Sequence, residues 1–305
     1  MAEGIDMNLF PPGFECQSIE ISLGKMAYCT STTPPWGNFD PRSKPPLIFL
    51  HSVGGGSSAY EWSKVYPAFN SDYRIIAPDL IGWGASAHPV KDYQVSDYGQ
   101  MISELIHQLT TPPVALVASS LTAGMTIRLA IERPELFQAL LLVCPTGFAD
   151  FGIDYARGLA AQVAGIGGVD RLIYALGAAN EFAVRTFLEQ VLFAQPDRVT
   201  AEMVAAYLAS ATQPNAEYTA LSSLRGDLCF DLALYLPQLT IPTVILWGEH
   251  DRFTGVKVGQ RLAKLNPQAV KHFCPIPDTG VLAHLEQPAI VIGLIQKYFL
   301  PLLSH

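Results

Sequence analysis

The stretch Val114-Ala115-Leu116-Val117-Ala118-Ser119-Ser120-Leu121-Thr122-Ala123-Gly124 decides how the rest of the chain is read. Its first five residues are aliphatic, the composition of a strand buried on both faces, and the run from Leu121 has helical character. Two serines stand between them. A strand that turns sharply into a helix and holds one hydroxyl at the turn has the layout of a nucleophile elbow. The glycines that usually flank such a hydroxyl read as Ala118 and Thr122, so the motif is small-x-Ser-x-small with Ser120 at its centre.

Outward from this stretch, strand and helix signals alternate. Cys16 to Leu23 and Lys25 to Thr30, joined at Gly24, predict an antiparallel hairpin at a sheet edge. Leu47 to Leu50 is a buried strand opening into His51-Ser52-Val53-Gly54-Gly55-Gly56-Ser57, a tight loop that exposes its backbone. A helix is predicted over Ser58 to Phe69, then a strand from Tyr73 to Ala77. Ser96 is the predicted N-cap of a helix to Leu109, which Pro112 and Pro113 close. The helix after Ser120 ends near Pro134, and Ala139 to Val143 is one more buried strand. The pattern predicts an α/β fold with a mostly parallel, doubly wound sheet whose functional loops lie at the strand carboxyl ends.

From about Phe148 to Leu236 the strand signals vanish, and apolar residues recur at helical spacing, as in Val169, Leu172, Ile173, Leu176 and in Phe182, Phe187, Val191. Four or five helices are expected there. Strands resume at Thr243 to Trp247 and Val270 to Ile276, with a helix at about Val256 to Leu265 between them and a final helix from Ala289. The predicted organisation is a core of residues 1–147 and 237–305 with an inserted helical cap over 148–236.

Composition narrows the function classes. With 50% hydrophobic and 15% charged residues and a mean hydropathy of +0.25, the chain has enough apolar material for a large interior. A net charge of -8 with scattered Lys and Arg argues against nucleic acid or an anionic membrane as partner. The five cysteines include no Cys-x-x-Cys pair and read as reduced. No secretory signal is visible, and the apolar run Ala289 to Leu303, broken by Gln296 and Lys297, falls short of the ~20 residues of a bilayer span. A cytoplasmic monomer or homodimer without metal or cofactor is expected.

The order of the pieces carries a further reading. Phe49-Leu50-His51, Ala77-Pro78-Asp79-Leu80-Ile81-Gly82-Trp83-Gly84, the Ser120 elbow, Leu246-Trp247-Gly248-Glu249-His250-Asp251-Arg252-Phe253, and Ile276-Pro277-Asp278-Thr279-Gly280 with Glu286-Gln287-Pro288 resemble the successive landmarks of the α/β-hydrolase superfamily. The resemblance spans about residues 20–147 and 237–303. It implies a nucleophile, an acid and a base in chain order Ser, Asp or Glu, His. Ser120 matches the nucleophile and Asp251 the acid that orients the base, with Asp150 and Asp154 as weaker acids. Serine at the elbow disfavours the ester-forming chemistry of the related epoxide hydrolases and haloalkane dehalogenases, which use Asp there.

The base position departs from the family, because Val281 follows Gly280 where relatives carry the catalytic histidine. His284 matches an accessory histidine and is the first candidate to replace it. The backbone N–H groups of Val53 and Leu121 are the expected oxyanion donors. Ser52, where relatives have glycine, and Tyr155 in the cap are expected to line the substrate site, with Tyr174, Phe182, Phe187, Phe193 and Tyr207 as further apolar material. His51 and Asp79 read as supports of their loops, Cys144 as buried and inert, and His88, His107, His250 and His272 as surface or packing residues. Three functions stay open: a serine hydrolase of small to medium apolar esters with a non-standard base, a binding protein that has lost hydrolysis, and non-hydrolytic lyase or acyl-transfer chemistry at Ser120.

Overall fold

Buried strands flanked by prolines and glycines build a single sheet in a computed structural model that describes residues 10–32, 43–152 and 179–303. The strands are β1 (Phe14–Ile21), β2 (Gly24–Ser31), β3 (Pro46–Leu50), β4 (Arg74–Pro78), β5 (Val114–Ser119), β6 (Phe137–Val143), β7 (Thr243–Gly248) and β8 (Val270–Ile276). They lie in the order β1-β2-β4-β3-β5-β6-β7-β8. β1 and β2 form the predicted antiparallel hairpin, β2 pairs antiparallel with β4, and every pairing from β4 through β8 is parallel. β5 sits at the centre, buried along its whole length, which is why its sequence is aliphatic throughout.

Helices α1 (Val95–Leu109), α2 (Ser120–Glu132), α3 (Glu181–Phe187), α4 (Ala201–Ala211), α5 (Ala216–Arg225), α6 (Gly255–Leu265), α7 (Ala283–Glu286) and α8 (Pro288–Leu294) connect or cover the strands. α1 begins one residue before Ser96, because the Asp97 carboxylate accepts the Gln94 N–H at 2.9 Å and closes the first turn there. The helix predicted over Ser58 to Phe69 is instead two short 3-10 turns, Ala59–Trp62 and Tyr66–Phe69. Pro67 has no N–H to continue a ladder, and burial of Tyr60, Trp62 and Tyr66 outweighs helix periodicity. Trp62 donates to the Leu50 carbonyl at 2.9 Å and packs against Phe49, a large apolar contact that fixes this segment beneath β3. Each such fully buried ring contributes about 1.5–3 kcal/mol of transfer free energy.

α3 to α5 lie between β6 and β7 in sequence and are hydrogen-bonded onto the core loops. Ser210 Oγ donates to the Ser57 carbonyl at 2.9 Å and accepts the Gly84 N–H at 2.9 Å, and Thr219 donates to the Gly82 carbonyl at 2.8 Å. Phe182 is 81% exposed, so it is not the core residue its helical spacing suggests, whereas Phe193 and Tyr207 are buried. The Val169 to Leu176 pattern, Asp154, Tyr155 and Tyr174 lie outside the described residues. All five cysteines are free thiols, and no helix among the described residues is long and apolar enough to cross a membrane.

Candidate functional site

Ser120 follows β5 and opens α2 with φ of +53°, in the left-handed region that costs a non-glycine residue about 1–2 kcal/mol. Close packing of α2 on the loop after β6 supports this turn. Gly124, one turn along α2, faces the Thr146 carbonyl so closely that an added Cβ would stand 2.2 Å from that oxygen. The turn brings Ser120 to the wall of a cavity of about 350 Å³, and its hydroxyl has no hydrogen-bond partner among the described residues. Val53 lines the same cavity. Leu121 is in the first turn of α2, where N–H groups lack intrahelical acceptors.

The cavity lies between the loops after β3, β5 and β8 and the α3 to α5 region, which contributes Val184, Phe187 and Leu224. Ser52, Ser57, Ser120 and Ser223 supply its polar side chains. No His, Asp, Glu, Lys or Arg lines it among the described residues. Nor do three His, Cys, Asp or Glu side chains cluster as a metal site among those residues.

Asp251 is buried in the loop after β7, where its carboxylate accepts hydrogen bonds from its own turn. Oδ1 accepts the Phe253 N–H and Oδ2 the Thr254 hydroxyl, both at 2.9 Å. Burial raises its pKa above the ordinary carboxylate value, with those two bonds opposing. This loop touches the one after β8: His250 N–H donates to the Thr279 carbonyl at 2.9 Å, and a Cβ on Gly248 would stand 1.9 Å from the Gly280 carbonyl oxygen. Glu286 pins that second loop, accepting the N–H groups of Gly280 at 2.5 Å, Ala194 at 3.0 Å and Gln195 at 3.1 Å. The side chain that the loop delivers to the cavity is Val281, only 3% exposed.

His284 is not among the cavity-lining residues. Its ring is fully buried and stacked on Trp62, with centroids 3.8 Å apart and planes 17° apart. Nε2 lies 3.9 Å from Glu61 Oε2, and neither ring nitrogen has a hydrogen-bond partner among the described residues. Burial lowers its pKa, opposed by Glu61. The structure therefore brings Ser120, Val53 and Ser52 together on one cavity and seats His284 in a separate stack with Trp62. The expectation of a replacement base at His284 meets this difference because α7 turns the ring inward toward the core.

The remaining candidates keep supporting roles. Leu80 N–H donates to His51 Nε2 at 2.9 Å, which leaves the proton on Nδ1 to donate to the Ser52 carbonyl at 2.6 Å. Asp79 accepts the N–H groups of Ala59 at 2.7 Å and Ala85 at 2.8 Å, and Asp150 accepts from Thr146 at 2.7 Å and Leu232 at 2.9 Å. Cys144 is fully buried, and burial raises its thiol pKa well above the ordinary value.

Sequence reasoning missed Glu61. It is fully buried, with Oε1 accepting the hydroxyls of Ser52 at 2.8 Å and Tyr207 at 2.9 Å, and Oε2 accepting the Ser52 N–H at 2.8 Å. Burial pushes its pKa up, but the flanking His284 and His51 and the Ser52 bond prevail and hold it at about 2. The available signal was a carboxylate inside the apolar run Ala59-Tyr60-Glu61-Trp62, just after the glycine loop.

Comparison with known proteins matches residues 47–294 to the profile described as the alpha/beta hydrolase family. A 2-hydroxy-6-oxo-6-phenylhexa-2,4-dienoate hydrolase of Delftia acidovorans is 28% identical over 239 residues, 75% of this chain and 79% of that protein. An uncharacterized protein of Mycobacterium tuberculosis is 32% identical over 105 residues, and this match spans only 30% of that relative's length. Among solved structures, the epoxide hydrolase CorEH superposes with a TM-score of 0.75 at 20% identity, covering 95% of this chain and 99% of that one.

Proposed function

Because the chain belongs to the alpha/beta hydrolase family, we propose that its Ser120 cavity binds a small, largely apolar molecule and that no serine, histidine and aspartate relay hydrolyses esters in it. In this reading residues 148–236 form the cap, with Tyr155 among its substrate contacts, and Val53 and Leu121 offer N–H groups to a polar atom held at Ser120. The observation that carries it is Val281 in the cavity that Ser120 lines. A serine hydroxyl is a poor nucleophile until a base takes its proton, and an isopropyl group accepts none. Asp251, the acid of this arrangement, accepts bonds from its own loop and from no imidazole among the described residues.

The test pairs binding with turnover. Saturable binding of 2-methoxynaphthalene, abolished by Val281→Trp filling the cavity, is expected. So is p-nitrophenyl butyrate hydrolysis no faster in the wild type than in Ser120→Ala. Wild-type turnover that Ser120→Ala removes would overturn the reading.

A second reading, an ester hydrolase with a non-standard base, draws on the left-handed backbone kept at Ser120. Strain of about 1–3 kcal/mol persists at a residue when the surrounding structure enforces it, and such residues cluster at reactive sites. His284 would have to leave its stack on Trp62 to serve. Ser120-dependent turnover lost in His284→Asn would favour this reading over the first.

A further inference from the structure

The polar wall of the cavity has a direction, and Glu61 sets it. A carboxylate only accepts hydrogen bonds, so the bonds at Glu61 Oε1 take the single hydroxyl protons of Ser52 and Tyr207. Ser57 Oγ lies 3.0 Å from Ser52 Oγ. With the Ser52 and Tyr207 protons both committed to Glu61, Ser57 is the donor to whichever of those two hydroxyl oxygens it bonds. Its own proton therefore points inward too, and neither serine has one left for the cavity that both line. What Ser52 and Ser57 can offer a ligand is lone pairs.

Charge sharpens the same preference. No cation lines the cavity among the described residues, and behind the two serines stands the Glu61 carboxylate. An anionic ligand would lose its hydration and meet a like charge where screening is weak. A neutral hydroxyl on a ligand would donate into a chain of bonds that already runs toward Glu61, and hydrogen bonds in such chains polarise one another.

Resting on the reading of the cavity as a binding site, we infer that the Ser52 and Ser57 wall is an acceptor subsite, selecting small apolar molecules that carry a neutral hydroxyl donor and turning carboxylates away. Ser57 is the specificity-determining residue, and Glu61 acts through it as a positioning residue.

Titration of the full chain at pH 7.5 with 2-naphthol, 2-methoxynaphthalene and 2-naphthoate tests this. The alcohol is expected to bind about five-fold tighter than the ether, the weight of one net hydrogen bond, and the carboxylate more weakly than either. Ser57→Ala should bring the alcohol-to-ether ratio to about one with ether binding retained, and Ser57→Thr should restore it. Glu61→Gln, whose amide can donate, should also shrink the ratio. An ether bound as tightly as the alcohol, a carboxylate bound tightest, or an alcohol preference that survives Ser57→Ala would overturn the inference alone. If none of the three bound to the wild type, the binding-site reading would fail and the inference with it.

Discussion

Replacing Val281 by histidine puts an imidazole at the position from which the family's base would reach Ser120. The site is prepared for it: the Ser120 turn is in place, and the loops carrying Asp251 and residue 281 touch through Gly248 and Gly280. The new ring extends from the cavity wall into open space of about 350 Å³ and not into packed core. Each Asp251 oxygen accepts one bond, and a carboxylate has about four acceptor positions, so about two remain, one of which can take the imidazole N–H. A positioned general base contributes about 10² to 10⁴ in rate, or about 3 to 5 kcal/mol of barrier. The assay is p-nitrophenyl butyrate hydrolysis by wild type, Val281→His, and that variant combined with Ser120→Ala or Asp251→Asn. A gain of 10² or more is expected, lost with Ser120→Ala and largely lost with Asp251→Asn. The rate should rise with pH through about 6 to 7, because only neutral imidazole takes a proton. A folded Val281→His protein that still binds 2-methoxynaphthalene and shows no gain, or a gain that survives Ser120→Ala, would refute the claim that the base alone is missing.

Further predictions concern the buried network and the loop contact. Glu61 has its folded pKa lowered from 4.5 to about 2, so its stabilising effect is complete above about pH 4.5 and disappears as pH falls toward 2. That difference amounts to about 3 kcal/mol, and urea unfolding of wild type against Glu61→Gln should show the gap between them closing on acidification. At neutral pH Glu61→Gln should cost about 1–3 kcal/mol, because the amide NH2 removes the acceptor either of the Ser52 N–H at Oε2 or of the Ser52 and Tyr207 hydroxyls at Oε1. Gly248→Ala places a Cβ 1.9 Å from the Gly280 carbonyl oxygen and should destabilise by about 3 kcal/mol or more, read as a lower denaturation midpoint. Added to Val281→His, it should also erase the esterase gain by parting the two loops.

Much of the fold was legible because its signals are local. The aliphatic runs of β3, β5, β6 and β7 and the punctuation at Gly24, Pro112 and Pro134 specify strands and their ends without tertiary information. Ser58 to Phe69 misled because its apolar spacing suits a helix, whereas burial of Trp62 under β3 and the missing N–H at Pro67 set its conformation. In the site, the elbow and the position of Val281 could be read from motif order. His284 could not be placed, because spacing along the chain gives reach but not the direction of a ring, and this one turns onto Trp62. Glu61 was invisible for a related reason: the hydroxyls that donate to it come from the glycine loop and from α4, 146 residues away at Tyr207.

Covalent labelling of wild-type protein by a fluorophosphonate, followed by intact mass against Ser120→Ala, tests the central claim most directly. An elbow serine without a base is predicted to acquire the adduct no faster than the Ser120→Ala background, with Val281→His labelling readily beside it as a positive control. Rapid stoichiometric labelling of wild-type Ser120 would contradict the account.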